Sequence, residues 1–81
     1  MKKVLRFTAE WCPACNKLSE TFTKFNPSLP VEVYDYDKTP EPFVEYRIAE
    51  IPTMLMIEDG VVLKKATGAK TVEELNEWFN T

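Results

Sequence analysis

Two cysteines, Cys12 and Cys15, stand apart by Pro13 and Ala14, and the chain has no other thiol and no histidine. A thiol pair can lock into a structural disulfide, supply half of a metal site, or pass electrons through a reversible disulfide. The lack of histidine removes most hydrolase triads, the usual general base and the commonest metal ligand. No second cysteine pair is present to complete a zinc site within one chain, so a metal would have to be shared between two chains. A disulfide closing a loop of about four residues would stabilise by only about 2 kcal/mol, before native strain is subtracted. A staple for a small domain would span a longer loop. Reversible redox chemistry fits the pair better than either alternative.

Something must hold the two sulfurs together and tune them. Lys3 to Ala9 reads as a strand, with Leu5, Phe7 and Ala9 on one face and Val4 and Thr8 on the other, which Arg6 interrupts. Pro13 suits the first position of a helix, where its missing N–H is not needed. Cys15, Leu18, Phe22 and Phe25 form an apolar stripe along that helix, which must stop before Pro27. Cys12 then lies at the helix N-terminus and Cys15 one turn in, close enough to bridge. Free amides and the positive end of the helix dipole favour a thiolate at Cys12. An ordinary thiol with a pKa near 8.5 is about 3% ionised at pH 7, and one lowered to about 7 is half ionised. Nucleophilicity falls with basicity along a slope of about 0.45, so of the roughly 16-fold gain about three-fold survives.

The remaining elements follow from pattern. Val31 to about Asp37 gives a second strand, and Thr39 as N-cap with Pro40 at the first position opens a short helix ending near Arg47. Thr53 to Glu58 is a continuously apolar strand, as expected where both faces are covered. Asp59-Gly60 turns it into a hairpin with Val61-Val62-Leu63, closed by Gly68. Thr71 and Glu74 form a capping box for a last helix that buries Val72, Leu75, Trp78 and Phe79. The order β-α-β-α-β-β-α implies an α/β fold: a four-stranded mixed sheet with helices on both faces.

At 81 residues the chain is expected to form one domain, residues 1–81. Its net charge of −3 supplies no basic excess for binding nucleic acid. The longest uncharged apolar stretch, Ile51 to Ile57, is too short to cross a bilayer. The basic start, Met1 to Arg6, lacks the apolar core of a signal peptide, which makes the cytoplasm the expected location.

With these elements in place the sequence resembles the thioredoxin superfamily. The resemblance is carried by Phe7 to Cys15, by Tyr46 to Thr53 with its Ile51-Pro52-Thr53, and by Gly60 and Gly68. It is to a small, N-terminally truncated thioredoxin, because the family's extra first strand and helix have no counterpart here. The resemblance implies a minimal thioredoxin fold and a protein-disulfide reductase that needs no metal or organic cofactor. It implies Cys12 as the nucleophile that attacks a substrate disulfide and Cys15 as the resolving thiol. It implies Pro52 as the family's cis-proline facing the thiols, with the Ile51 backbone free to pair with a substrate strand. Trp11, Pro13, Ala14 and Gly68 would complete the surface that meets the substrate. The implied partners are protein disulfides and a recharging system, either of the thioredoxin-reductase type or glutathione-linked, serving a monomer.

Three positions depart from the family pattern. Pro13-Ala14 replaces Gly-Pro, and proline directly after the nucleophile resembles glutaredoxins and disulfide-forming oxidants. Arg6 stands where thioredoxins bury an aspartate that handles the resolving thiol's proton, and Val33 replaces that aspartate's partner lysine. Two roles are open to Arg6: pairing with Glu32 on the neighbouring strand, or raising the potential near the thiols. The plainer alternative has it snorkel to a sheet edge. A glutaredoxin-like, glutathione-dependent reductase is the main rival, although Thr67-Gly68-Ala69-Lys70 matches its carboxylate-binding turn poorly; Lys17 and Lys70 could contact a carboxylate, but exposed lysines are usually just solvated. A non-catalytic binding module built around Trp11, Ile51 and Pro52 is the rival from another class.

Overall fold

In a computed structural model that describes residues 1–80, the chain runs β1 (Lys2–Thr8), α1 (Pro13–Phe22), β2 (Val31–Asp35), α2 (Glu41–Glu45), β3 (Thr53–Glu58), β4 (Val61–Thr67) and α3 (Val72–Asn80). This is the β-α-β-α-β-β-α order expected from the sequence. The strands form one sheet in the order β2-β1-β3-β4. β1 and β2 are parallel, joined through α1, whereas β3 runs antiparallel to both β1 and β4.

Alternation along the two central strands builds a core on each side of the sheet. Val4, Met54 and Met56 face Leu18 of α1 and Leu75 and Phe79 of α3. Leu5, Phe7, Leu55 and Ile57 face Phe43 of α2, with Tyr34, Tyr46 and Ile48 packed around them. β4 is an edge strand, and Val61, Val62 and Leu63 are all exposed on it. The β3–β4 turn has positive φ at both Asp59 and Gly60, 51° and 85°, which suits the twist of a tight hairpin. The capping box of α3 is closed in both directions: Glu74 N donates to Thr71 Oγ1 at 3.1 Å and Thr71 N donates to Glu74 Oε1 at 2.9 Å.

Helix boundaries differ from the sequence expectation in two places. α1 ends at Phe22, and i→i+3 bonds from Thr23, Lys24 and Phe25 tighten the chain beyond it, so Phe25 still reaches the core. α2 begins at Glu41 with Pro40 in the cap position and no side-chain cap, because the Thr39 hydroxyl donates to the Asp35 carbonyl instead. The helix then stops sharply. Ile48 N donates to Phe43 O at 2.8 Å and Arg47 N to Val44 O at 3.2 Å, with Arg47 in the left-handed region at φ 54°. That is a Schellman ending, with Ile48 packed on the core cluster to which Phe43 belongs. It aims the following segment, Ala49 to Pro52, back toward the end of β1.

Of the roles open to Arg6, pairing with Glu32 is not realised. Glu32 lies opposite Leu5 in the parallel register, so its side chain points to the α2 side of the sheet. There it pairs with Lys3 at 2.9 Å. Arg6 points to the other side and does not snorkel to an edge: it is only 8% exposed, beneath α1. Its Nη2 donates to Ser19 Oγ at 2.8 Å, and the guanidinium lies 4.3 Å from the centre of the Phe22 ring.

Candidate active site

Past Thr8 the backbone leaves the sheet, buries Ala9 against the two cysteines, and turns so that Cys12 N donates to Ala9 O at 3.2 Å. Cys12 has extended geometry, φ −98° and ψ 111°, and serves as the N-cap of α1 with Pro13 following at the helix start. Its sulfur accepts the Cys15 N–H at 3.2 Å, the place a serine or aspartate oxygen takes at an ordinary helix start. Cys12 is 7% exposed, whereas Cys15 is fully buried one turn behind it. Both thiols are free. Pro13 and Ala14 lie exposed on the rim.

The two thiols therefore differ in environment. Burial pushes the Cys15 thiol above its ordinary value, and its hydrogen bond with Cys12 adds to that. A backbone hydrogen bond from Ala9 and the Thr8 hydroxyl act the other way. A raised folded-state value means that the contribution of Cys15 to stability is complete below the ordinary thiol value of 9.0 and is lost as pH rises through the folded value. The reduced protein is thus expected to lose stability above about pH 9 relative to the oxidised protein, in which no thiol titrates. Denaturant unfolding of both forms from neutral to alkaline pH checks this, and parallel pH profiles would refute it.

The opposite wall of the site comes from the segment after α2. The Ile51–Pro52 peptide bond is cis, as the resemblance implied, and Pro52 is buried at the head of β3. Ile51 packs against Ala9, Cys12 and Cys15. Thr53 Oγ1 donates to Glu50 O at 2.6 Å, and Gly68 N donates to Pro52 O at 2.9 Å. Gly68 has φ 83°, and a Cβ there would meet nothing nearer than Lys70 Nζ at 4.0 Å. Its conformation, rather than lack of space, calls for glycine. The Lys70 ammonium donates to the Thr67 carbonyl of the same turn.

Because β1 and β2 are parallel, the loops that follow them emerge on the same edge of the sheet. Trp11, 62% exposed, comes from the first, and its indole Nε1 donates to Asp37 Oδ2 in the second at 2.9 Å. Lys38 pairs with Glu10 across the same gap at 3.2 Å. Between Trp11, Tyr36, Phe43, Ile48 and Ile51 lies an open hollow of about 160 Å³, which shares Ile51 with the cluster around the two thiols. Sequence reasoning missed Thr8, Tyr36 and Asp37. Only the parallel pairing of β1 with β2 pointed toward the last two. Among the described residues no cluster of three or more His, Cys, Asp or Glu side chains is placed to hold a metal.

The family model described as Thioredoxin matches residues 1–81. The chain belongs to the thioredoxin family. Its similarity to the thioredoxin of Chlamydia trachomatis is 29% identity over 75 residues, covering 89% of this chain and 74% of that protein. With the thioredoxin of Bacillus subtilis it shares 32% identity over 78 residues, 91% of this chain and 75% of that one. Among solved structures, thioredoxin-2 of the malaria parasite superimposes with a TM-score of 0.84 at 21% identity, covering 96% of this chain and 80% of that chain. Cys12 and Cys15 of this thioredoxin-family chain form its dithiol/disulfide active site, and the protein is a thiol–disulfide oxidoreductase.

Proposed function

We propose that this thioredoxin-family protein works in the cytoplasm as a monomeric electron carrier that reduces protein disulfides. The observation that carries this reading is the asymmetry of the pair, with Cys12 reaching the surface at a helix N-cap and Cys15 sealed behind it. In the first step the Cys12 thiolate attacks one substrate sulfur. The Cys12–substrate bond forms, the substrate S–S bond breaks, and the departing thiolate takes up a proton. Cys15 then gives up its proton and attacks Cys12 Sγ, forming the Cys12–Cys15 disulfide and releasing the second substrate thiolate. Two electrons have passed to the substrate. A reductase of the thioredoxin-reductase type, or a glutathione-linked system, returns the pair to the dithiol.

The substrate chain is proposed to lie across Trp11, Pro13 and Ala14 on one side and Gly68 on the other, pairing with the Ile51 backbone ahead of Pro52. The hollow beside Trp11 would take one of its apolar side chains. A glutathione-linked activity has less support: Lys70 is engaged by the Thr67 carbonyl, leaving exposed Lys17 to meet the tripeptide's carboxylates.

Cys15→Ser tests the reading directly. Incubated with a disulfide-bonded model substrate such as insulin, it is expected to accumulate a mixed disulfide through Cys12 that dithiothreitol releases. No such adduct, together with full biological function of the Cys12→Ser/Cys15→Ser double variant, would favour a binding module instead.

A further inference from the structure

We propose that Arg6 is a positioning residue for the second half of the exchange: its guanidinium, buried beneath α1, stabilises the thiolate that Cys15 must become to attack Cys12. This rests on Cys15 being the resolving thiol. Cys15, Ser19 and Phe22 follow one another at helical spacing along the face of α1 that meets the sheet. Arg6 touches two of the three, donating from Nη2 to Ser19 Oγ at 2.8 Å and lying 4.3 Å from the Phe22 ring centre. Cys15 is one turn nearer the helix N-terminus, about 5–7 Å further along the same stripe. Arg6 Nε is buried without a hydrogen-bond partner among the described residues. A buried guanidinium that no carboxylate among the described residues pairs with is costly, and an anion forming nearby relieves that cost.

The surroundings leave few other charges to oppose this effect. Beside Arg6 in the sheet stand Val33 of β2 and Met54 of β3. Glu32 and Lys3 are paired on the far side of the sheet. Around Cys15 the second titratable group is Cys12, at the head of its own helix; β1 adds the Thr8 hydroxyl, and the segment before β3 adds apolar Ile51. Burial pushes the Arg6 guanidinium down, and attraction to Cys15 pushes it back up. Charge–charge coupling is reciprocal, but on the Cys15 thiol burial and the hydrogen bond with Cys12 dominate.

A carboxylate in this place would accept the proton of Cys15 and repel the thiolate. A guanidinium accepts nothing, so the proton leaves for solvent, the new S–S bond forms, the Cys12–substrate bond breaks, and the released substrate thiolate takes up a proton. Arg6 therefore acts on how much Cys15 is ionised rather than as a proton carrier.

The test is the ionisation of Cys15, followed by the ultraviolet absorbance of the thiolate in a Cys12→Ser background where a single thiol titrates. Arg6→Met and Arg6→Gln remove the charge, and either suffices if the other fails to fold; Arg6→Lys keeps it. For charges about 7 Å apart at an effective dielectric constant of about 20, the neutral variants should raise the Cys15 pKa by about one to two units. Arg6→Lys should restore most of the difference. In the protein with both cysteines, the neutral variants should release substrate from the mixed disulfide about five- to tenfold more slowly near neutral pH, with the deficit closing as pH rises. An unchanged Cys15 pKa in a folded neutral variant would overturn the assignment of Arg6 even if disulfide exchange persisted. A shifted pKa without any mixed disulfide in Cys15→Ser would instead overturn the reductase reading and leave the Arg6–Cys15 coupling standing.

Discussion

Cys12→Ser is expected to lower disulfide reduction by at least about a thousandfold while leaving the fold intact. A serine hydroxyl at neutral pH is a far weaker nucleophile than a thiolate, and the other thiol, Cys15, is fully buried. Stability should not suffer, because the structural task of the Cys12 sulfur is to accept the Cys15 N–H at 3.2 Å. Serine is among the preferred N-caps for that contact. Insulin-reduction turnover and thermal unfolding, measured on the same preparation, check both halves. Turnover comparable to that of the parent would mean that Cys12 is not the nucleophile. A collapse in melting temperature would mean that the sulfur holds the helix start in a way the cap geometry does not convey.

The largest stability effect should come from Phe7→Ala. Phe7 is fully buried in β1, its ring centroid 5.0 Å from that of Phe43, 5.6 Å from Tyr34 and 6.0 Å from Tyr46. Truncating a core phenylalanine costs about 3–5 kcal/mol, the lost transfer energy plus the cavity left behind. A domain of this length has in total only about 4–12 kcal/mol, at roughly 0.05–0.15 kcal/mol per residue. A substantial unfolded fraction is therefore expected at physiological temperature, and activity should fall with it, since the same cluster anchors α2 and the segment leading to Pro52. Urea titration of the variant measures the loss; a change below about 1 kcal/mol would show that the surrounding rings collapse into the space.

Much of this was legible in the sequence because several signals agreed at each element. Alternation marked the faces of β1, the continuous apolar run of β3 marked burial on both its faces, Asp59-Gly60 fixed the hairpin, and Thr71 with Glu74 fixed the start of α3. The nucleophile's position followed from Pro13 and the stripe that begins at Cys15. What was not legible depended on register. Pairing Arg6 with Glu32 seemed natural from charge alone, but a one-position offset across parallel strands sends the two side chains to opposite faces of the sheet. The Trp11–Asp37 bond joins two loops whose meeting is set by strand direction and not by any local pattern. Thr39 looked like a cap because caps are recognised by residue type, whereas its hydroxyl is taken up by the turn that precedes α2.

The strand order has a consequence for how the protein comes into being. β1 is the platform for both cysteines, yet it sits between β2 and β3, with Lys2 opposite Glu58 and Phe7 opposite Thr53. A chain emerging from the ribosome carries its nucleophile out first and the strand that closes over its platform much later. Until residues as far as Glu58 are free to pair, Leu5 and Phe7 lack their β3 partners, and most of the entropy of closing that long loop must be spent before burial returns it. Until that pairing forms, the sheet beneath Cys12 and Cys15 is incomplete. Burial of that platform is therefore a late, non-local event for this chain, although the residues that form it lie in the first strand, β1.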